Sequence, residues 1–176
     1  HWHNKLLASV FPNTPCDPCT GAQNARSEFE ECLDTNQAQQ EILDAILPPA
    51  LQDTDPTRIP RHLLQQVAQW SPKQNGIGLW ILGPTRSFKS RSVSLLVKKL
   101  VTIDKIKPMT FFHGAFGDEL AERAKSTTSV KAWKLRIARA PILVIDDLFA
   151  QKLTEFQEST LFDLLDARTH AYLPSI

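Results

Sequence analysis

A chain of 176 residues with 42% hydrophobic content can bury one substantial core and a small appendage, so one main domain is expected. Its 20 basic and 19 acidic side chains leave a net charge of +1, which excludes a global pull toward nucleic acid or membrane; any DNA contact must come from a local patch. No apolar run approaches the roughly 20 residues of a membrane span and no secretory signal opens the sequence, which predicts a cytoplasmic protein without a membrane partner.

The first fifty residues differ in texture from the rest. FPNTPCDPCTG reads as a turn-rich loop interrupted by prolines. Three cysteines in a cytosolic chain argue against a disulfide framework, and Cys16-x-x-Cys19 with Cys32 further on resembles part of a Zn²⁺ site. Structural zinc needs four ligands, so His1, His3 or a group outside the chain would complete it; the plain alternative is three free thiols. Between Glu28 and Leu47, the apolar positions Phe29, Leu33, Ile42, Ile46 and Leu47 predict one or two short helices, stopped by Pro48-Pro49. Residues 1–50 are expected to form a zinc-binding or partner-docking segment ahead of a main domain over 51–176. Asp53 to Pro60 is linker-like, and a helix is predicted from about Arg61 to Trp70.

Leu79, Trp80, Ile81 and Leu82 then form an apolar run suited to a strand buried on both faces. The run leads into a phosphate-loop pattern, G-x-x-x-x-G-K-[ST], that is met at Gly83, Lys89 and Ser90 and broken at Phe88. Past Lys89 the period changes: Val93, Leu96, Val97 and Leu100 recur at helical spacing with Arg91, Ser94, Lys98 and Lys99 between them. Strand, loop and helix N-terminus together make a phosphate cradle, because exposed N–H groups and the positive dipole end favour an anion. Its members would be Gly83, Pro84, Thr85, Arg86, Ser87, Phe88, Lys89, Ser90 and Arg91, with Lys89 reaching the β- and γ-phosphates of ATP and Ser90 ligating Mg²⁺. Phe88 is the obstacle. A bulky residue forced to positive φ costs on the order of 1–3 kcal/mol, and its ring could occupy space near the phosphates. An ordinary strand-loop-helix connection with a chance Lys-Ser is the competing reading.

Next come a predicted strand at Met109 to His113 and a helix at Phe116 to Lys125. A basic helix follows, in which Lys131, Lys134, Arg136 and Arg139 alternate with Val130, Trp133, Leu135 and Ile137. Such a helix can face a phosphate backbone such as single-stranded DNA, or simply be solvated. Pro141 to Asp147 (PILVIDD) is a further apolar strand ending in two acids. At the C-terminal edge of a parallel sheet, Asp146 would hold the Mg²⁺ hydration shell and Asp147 would orient or deprotonate an attacking water. Taken alone, two such acids equally form a turn and a helix cap.

From Leu51 to Ile176 the chain resembles the AAA+ helicase loaders of the DnaC and DnaI type and the related IstB transposition ATPases. The resemblance is carried by TRIPRHLLQQVAQW, LGPTRSFKSRSVSLLVKKL, PILVIDDL and LTEFQESTLFDLLDARTHAYLPSI. It implies an α/β P-loop NTPase fold, a parallel sheet flanked by helices, with ATP and Mg²⁺ as cofactors. It also implies homo-oligomers acting on DNA, with a replicative helicase or a transposase as partner. In this family the final helix leads into a fourth strand lying between the first and third. Tyr172 to Ile176 would only begin that strand, so the expectation is a sheet cut short before the sensor asparagine and the arginine finger. DnaI-like loaders also carry a zinc-binding N-terminal region. The functional expectation is an ATP-binding protein that couples binding or hydrolysis, with Lys89 and Asp147 in catalytic roles, to remodelling of DNA or a helicase. Its alternatives are a nucleotide-binding adaptor impaired by Phe88, a transposition helper, and a small-molecule kinase.

Overall fold

The computed structural model describes residues 37–72, 78–148 and 152–176, in which helices alternate with short parallel strands. The helices are α1 (Gln37–Ile46), α2 (Pro49–Gln52), α3 (Arg61–Gln69), α4 (Lys89–Thr102), α5 (Ala115–Arg123), α6 (Thr127–Arg139) and α7 (Glu155–His170). Strands β1 (Met109–Phe111) and β2 (Leu143–Ile145) pair in parallel, with Met109 opposite Leu143 and Phe111 opposite Ile145. The architecture is mixed α/β, as the alternating periods predict.

Local chemistry sets several boundaries. Pro49 does not simply end helix formation after α1; it opens α2 at the first position, where its missing N–H costs nothing. The linker-like stretch contains a 3₁₀ turn, Pro56–Arg58, capped by an Asp55 carboxylate that accepts from the Thr57 N–H at 2.8 Å. Helix α7 opens with a capping box: the Thr154 hydroxyl accepts from the Gln157 N–H, and the Gln157 side chain accepts from the Thr154 N–H at 2.8 Å.

The sheet extends beyond its two named strands. Ser175 bridges Leu143 on one side and Gly78 on the other, both in parallel sense, so Met109, Leu143, Ser175 and Gly78 succeed one another across it. The Leu143 N–H donates to the Pro174 carbonyl at 3.1 Å, the Ile145 N–H to the Ile176 carbonyl at 2.7 Å, and the Leu79 N–H to the Ser175 carbonyl at 2.9 Å. Glycine is needed at position 78 because a Cβ there would lie 2.7 Å from the Ser175 carbonyl oxygen.

One expectation is corrected here. Leu79 to Leu82 is not a strand buried on both faces: Trp80 is 66% and Leu82 80% exposed, whereas Leu79 and Ile81 pack against the core. The segment has a neighbour on one side only among the described residues, and an extended chain sends alternate side chains to opposite faces.

Hydrophobic layers cover both faces of the sheet. Along the β2 segment, Ile142 and Val144 join a cluster built on Val93, Leu96, Val97 and Leu100 of α4, together with Leu43 and Leu47 from the α1 region. Leu143 points the other way, into a cluster of Phe111, Phe116, Leu120, Trp133, Ile137 and Leu161. In that second layer Phe111, Phe116 and Trp133 meet with ring centroids 5.5–5.9 Å apart. Lys98 and Lys99, which lie between the apolar positions of α4, are half-buried. Lys98 donates to the Gln52 carbonyl, and Lys99 donates to the Ala68 and Trp70 carbonyls at 3.0 and 2.9 Å, tying α2 and α3 onto α4.

Candidate functional site

The C-terminal edge of the sheet gathers three loops, the place where open parallel sheets form binding crevices. The first runs from Gly83 to Phe88 and ends at the N-terminus of α4. Phe88 adopts φ 64° and ψ 15°, the left-handed conformation for which a glycine stands in the motif. Arg86 is also left-handed, at φ 64°. The phenylalanine therefore keeps the backbone geometry of the missing glycine, at a strain of roughly 1–2 kcal/mol. No side chain caps the first turn of α4, so its leading N–H groups are left to the loop side.

Lys89 folds back over this loop. Its ammonium donates to the Pro84 carbonyl at 2.7 Å and the Gly83 carbonyl at 3.0 Å, and reaches the Ser87 hydroxyl at 3.4 Å. Ser87 itself donates to the Pro84 carbonyl at 2.8 Å. The lysine is thus held at the mouth of the loop by acceptors that an anionic ligand can replace.

The second loop carries Asp146 and Asp147 after β2, and the Asp146 N–H extends the sheet by donating to the Phe111 carbonyl at 2.8 Å. The Asp146 carboxylate is buried, at 6% exposure, with Ser90 of the first turn of α4 near it. Its Oδ2 is buried with no hydrogen-bond partner. Burial pushes the Asp146 carboxyl above its ordinary value; the neighbouring Asp147 adds to the rise, while Ser90 and His113 oppose it.

The third loop supplies His113, just past β1. His113 (φ 54°) and Asp147 (φ 55°) are both left-handed and exposed, and one ligand atom from each of His113, Asp146 and Asp147 lies within 4.8 Å of the others. A cleft of about 520 Å³ opens beside them, lined by Gly83, Thr85, Lys89, Asp146 and Asp147 and by apolar side chains including Leu79, Ile81 and Val93.

Of the residues read from sequence, Gly83, Thr85, Lys89, Asp146 and Asp147 therefore share one cleft, with Ser90 near enough to lower the Asp146 pKa. Pro84, Arg86, Ser87 and Phe88 complete the loop, and Arg91 lies in the first turn of α4. Cys16, Cys19 and Cys32 lie outside the described residues. His113, expected as the last residue of a strand, lies instead two residues past the end of β1; its place at the C-terminal end of a strand in a strand-helix alternation is the signal that finds it. On α6, Lys134 pairs with Asp163 at 3.4 Å and Arg136 with Glu119 at 3.6 Å, leaving Lys131 and Arg139 as exposed charges without a paired carboxylate among the described residues. Among those residues, no helix is long and apolar enough to cross a membrane.

No protein-family model matches the chain, and no curated protein matches it.

Proposed function

We propose that this chain binds ATP with Mg²⁺ in the cleft at the C-terminal edge of its sheet, as a P-loop nucleotide-binding protein. The observation that carries the reading is that Lys89, folded over its own loop, lines one cleft with Asp146 and Asp147, which lie more than 50 residues away in the chain, with Ser90 near enough to lower the Asp146 pKa. A loop-end serine and a strand-end aspartate are the pair that holds a hydrated magnesium ion in phosphate-loop sites. The backbone at Phe88 and the order Met109, Leu143, Ser175, Gly78 across the sheet support the same reading. Lys89 would exchange its carbonyl acceptors for phosphate oxygens, Ser90 and Asp146 would hold Mg²⁺, and Asp147, exposed at the rim, would orient water. Following its resemblance to helicase loaders and IstB-type ATPases, the chain would couple this binding to remodelling of DNA or a protein bound to DNA, with Lys131 and Arg139 of α6 available to phosphates.

Equilibrium binding of a fluorescent ATP analogue, with and without Mg²⁺, tests the proposal on the native chain and on Lys89→Ala. Saturable, Mg²⁺-dependent binding that weakens about tenfold or more in the variant is expected, since charge-assisted hydrogen bonds contribute about 1.5–3 kcal/mol. Equal binding by the two proteins, or none by either, would overturn it.

A further inference from the structure

We infer that His113, Asp146 and Asp147 form a site for a divalent transition-metal ion, one that accepts an imidazole nitrogen as well as carboxylate oxygens. The three side chains come from the ends of neighbouring parallel strands: His113 follows β1 and the two aspartates follow β2. A ligand atom from each falls within 4.8 Å of the other two, so small side-chain rotations bring all three onto one ion.

An independent observation points to a cation. Asp146 is 6% exposed, and its Oδ2 has no hydrogen-bond partner. A buried carboxylate oxygen left alone is costly, and the neighbouring Asp147 adds a like charge rather than removing that cost. A metal ion bound by that oxygen would offset both the desolvation and the repulsion between the two aspartates.

The donor set selects the kind of ion. Two carboxylates alone suit Mg²⁺, a hard ion that keeps its waters and takes oxygen ligands. An imidazole suits Zn²⁺, Co²⁺ and Ni²⁺ better, since nitrogen ligands favour the later first-row ions over Mg²⁺ and Mn²⁺. With His113 and Asp147 both exposed, such an ion would keep open positions for water or a substrate oxygen, as ions with three protein ligands do. The inference concerns metal choice at carboxylates assigned above to the nucleotide site and to that extent rests on that reading. It is tested without nucleotide, so the two can fail separately.

The experiment is a Co²⁺ titration of the full chain in nucleotide-free buffer, followed by visible absorption and calorimetry, with Mg²⁺ as the comparison ion. His113→Asn removes the imidazole while keeping a residue that tolerates left-handed backbone, and Asp147→Asn removes one carboxylate; if either variant melts abnormally, the other decides. Expected are Co²⁺ binding about tenfold or more tighter than Mg²⁺ and a loss of about tenfold or more in each folded variant. Unchanged Co²⁺ affinity in the variants would overturn the inference. So would binding seen only with the intense near-ultraviolet charge transfer of thiolate ligands, which would assign the ion to Cys16, Cys19 and Cys32.

Discussion

The two ends of β2 treat buried charge in opposite ways. Before the strand, Arg168 of α7 is fully buried and every arm of its guanidinium is used: it donates to Ile137 and Ala140 carbonyls at 2.7 and 2.8 Å, to Pro174 at 2.6 Å and to the Ser175 hydroxyl at 3.0 Å. Burial pushes its pKa down to about 10, which leaves it charged at neutral pH. After the strand, Asp146 keeps one oxygen unpaired and lies beside Asp147 and His113, both at positive φ. Charge fully satisfied within the chain serves architecture, here by fastening α6, α7 and the Pro174-Ser175 segment together. Charge left wanting serves a ligand, because only a group from outside completes it.

Arg168→Met is the strongest way to break this contrast. The substitution removes the guanidinium and leaves the Ile137, Ala140 and Pro174 carbonyls buried without their donor, for an expected loss of about 3–5 kcal/mol, comparable to breaking a buried ion pair. Arg168→Lys should recover only part of it, since one ammonium cannot reproduce a planar fork. Denaturant midpoints with unchanged slope measure the effect, and a loss below about 1 kcal/mol would mean that the arginine does not hold that end of the sheet.

Asp146→Asn should act in the opposite direction. Because burial raises the folded-state pKa of this carboxyl, the protonated form is favoured in the fold; its contribution to stability is fully present below the ordinary value of 3.8 and is lost as pH rises through the folded pKa. An asparagine, which does not ionise, escapes that loss. In metal-free buffer at pH 7 the variant is therefore expected to be more stable by about 0.5–2 kcal/mol, with the gap closing toward acid, while it binds the Mg²⁺ complex of the nucleotide more weakly. Thermal melts across pH provide the check; a variant less stable than the native chain at pH 7 would show that Asp146 is satisfied after all.

What sequence could reveal follows the same division. Val93, Leu96, Val97 and Leu100 announce α4 by spacing, and all four are buried, because periodicity reports which face meets a core. Lys89 and Asp146, which share one cleft, each sit at a boundary that can be recognised in the sequence, a loop into a helix and a strand into a turn. A four-residue apolar run, by contrast, does not say whether one face or both are covered, which is why Trp80 and Leu82 were misread. Nothing in the local sequence marks Lys98, Lys99 or Arg168 as buried. Their roles depend on carbonyls contributed by distant segments, and no local pattern encodes these. His113 has no partner in its own segment, so its place beside two aspartates emerges only when β1 and β2 pair.

Phe88 sharpens the comparison at the site itself, where the letter pattern fails and the backbone does not. Because the residue already holds the left-handed geometry, Phe88→Gly changes strain and side-chain bulk but not the path of the loop. Relief of about 1–2 kcal/mol of strain is opposed by roughly 0.5–1 kcal/mol of added chain entropy and by the lost contacts of a partly buried ring, so stability should move by less than about 1 kcal/mol. Nucleotide affinity should change less than about threefold, under 1 kcal/mol, if the cradle is already formed. A gain of about tenfold or more would mean instead that the phenyl ring occupies phosphate space. The native chain would then be a nucleotide-poor adaptor rather than a working ATPase, with its lysine, serine and aspartates assembled around a closed loop.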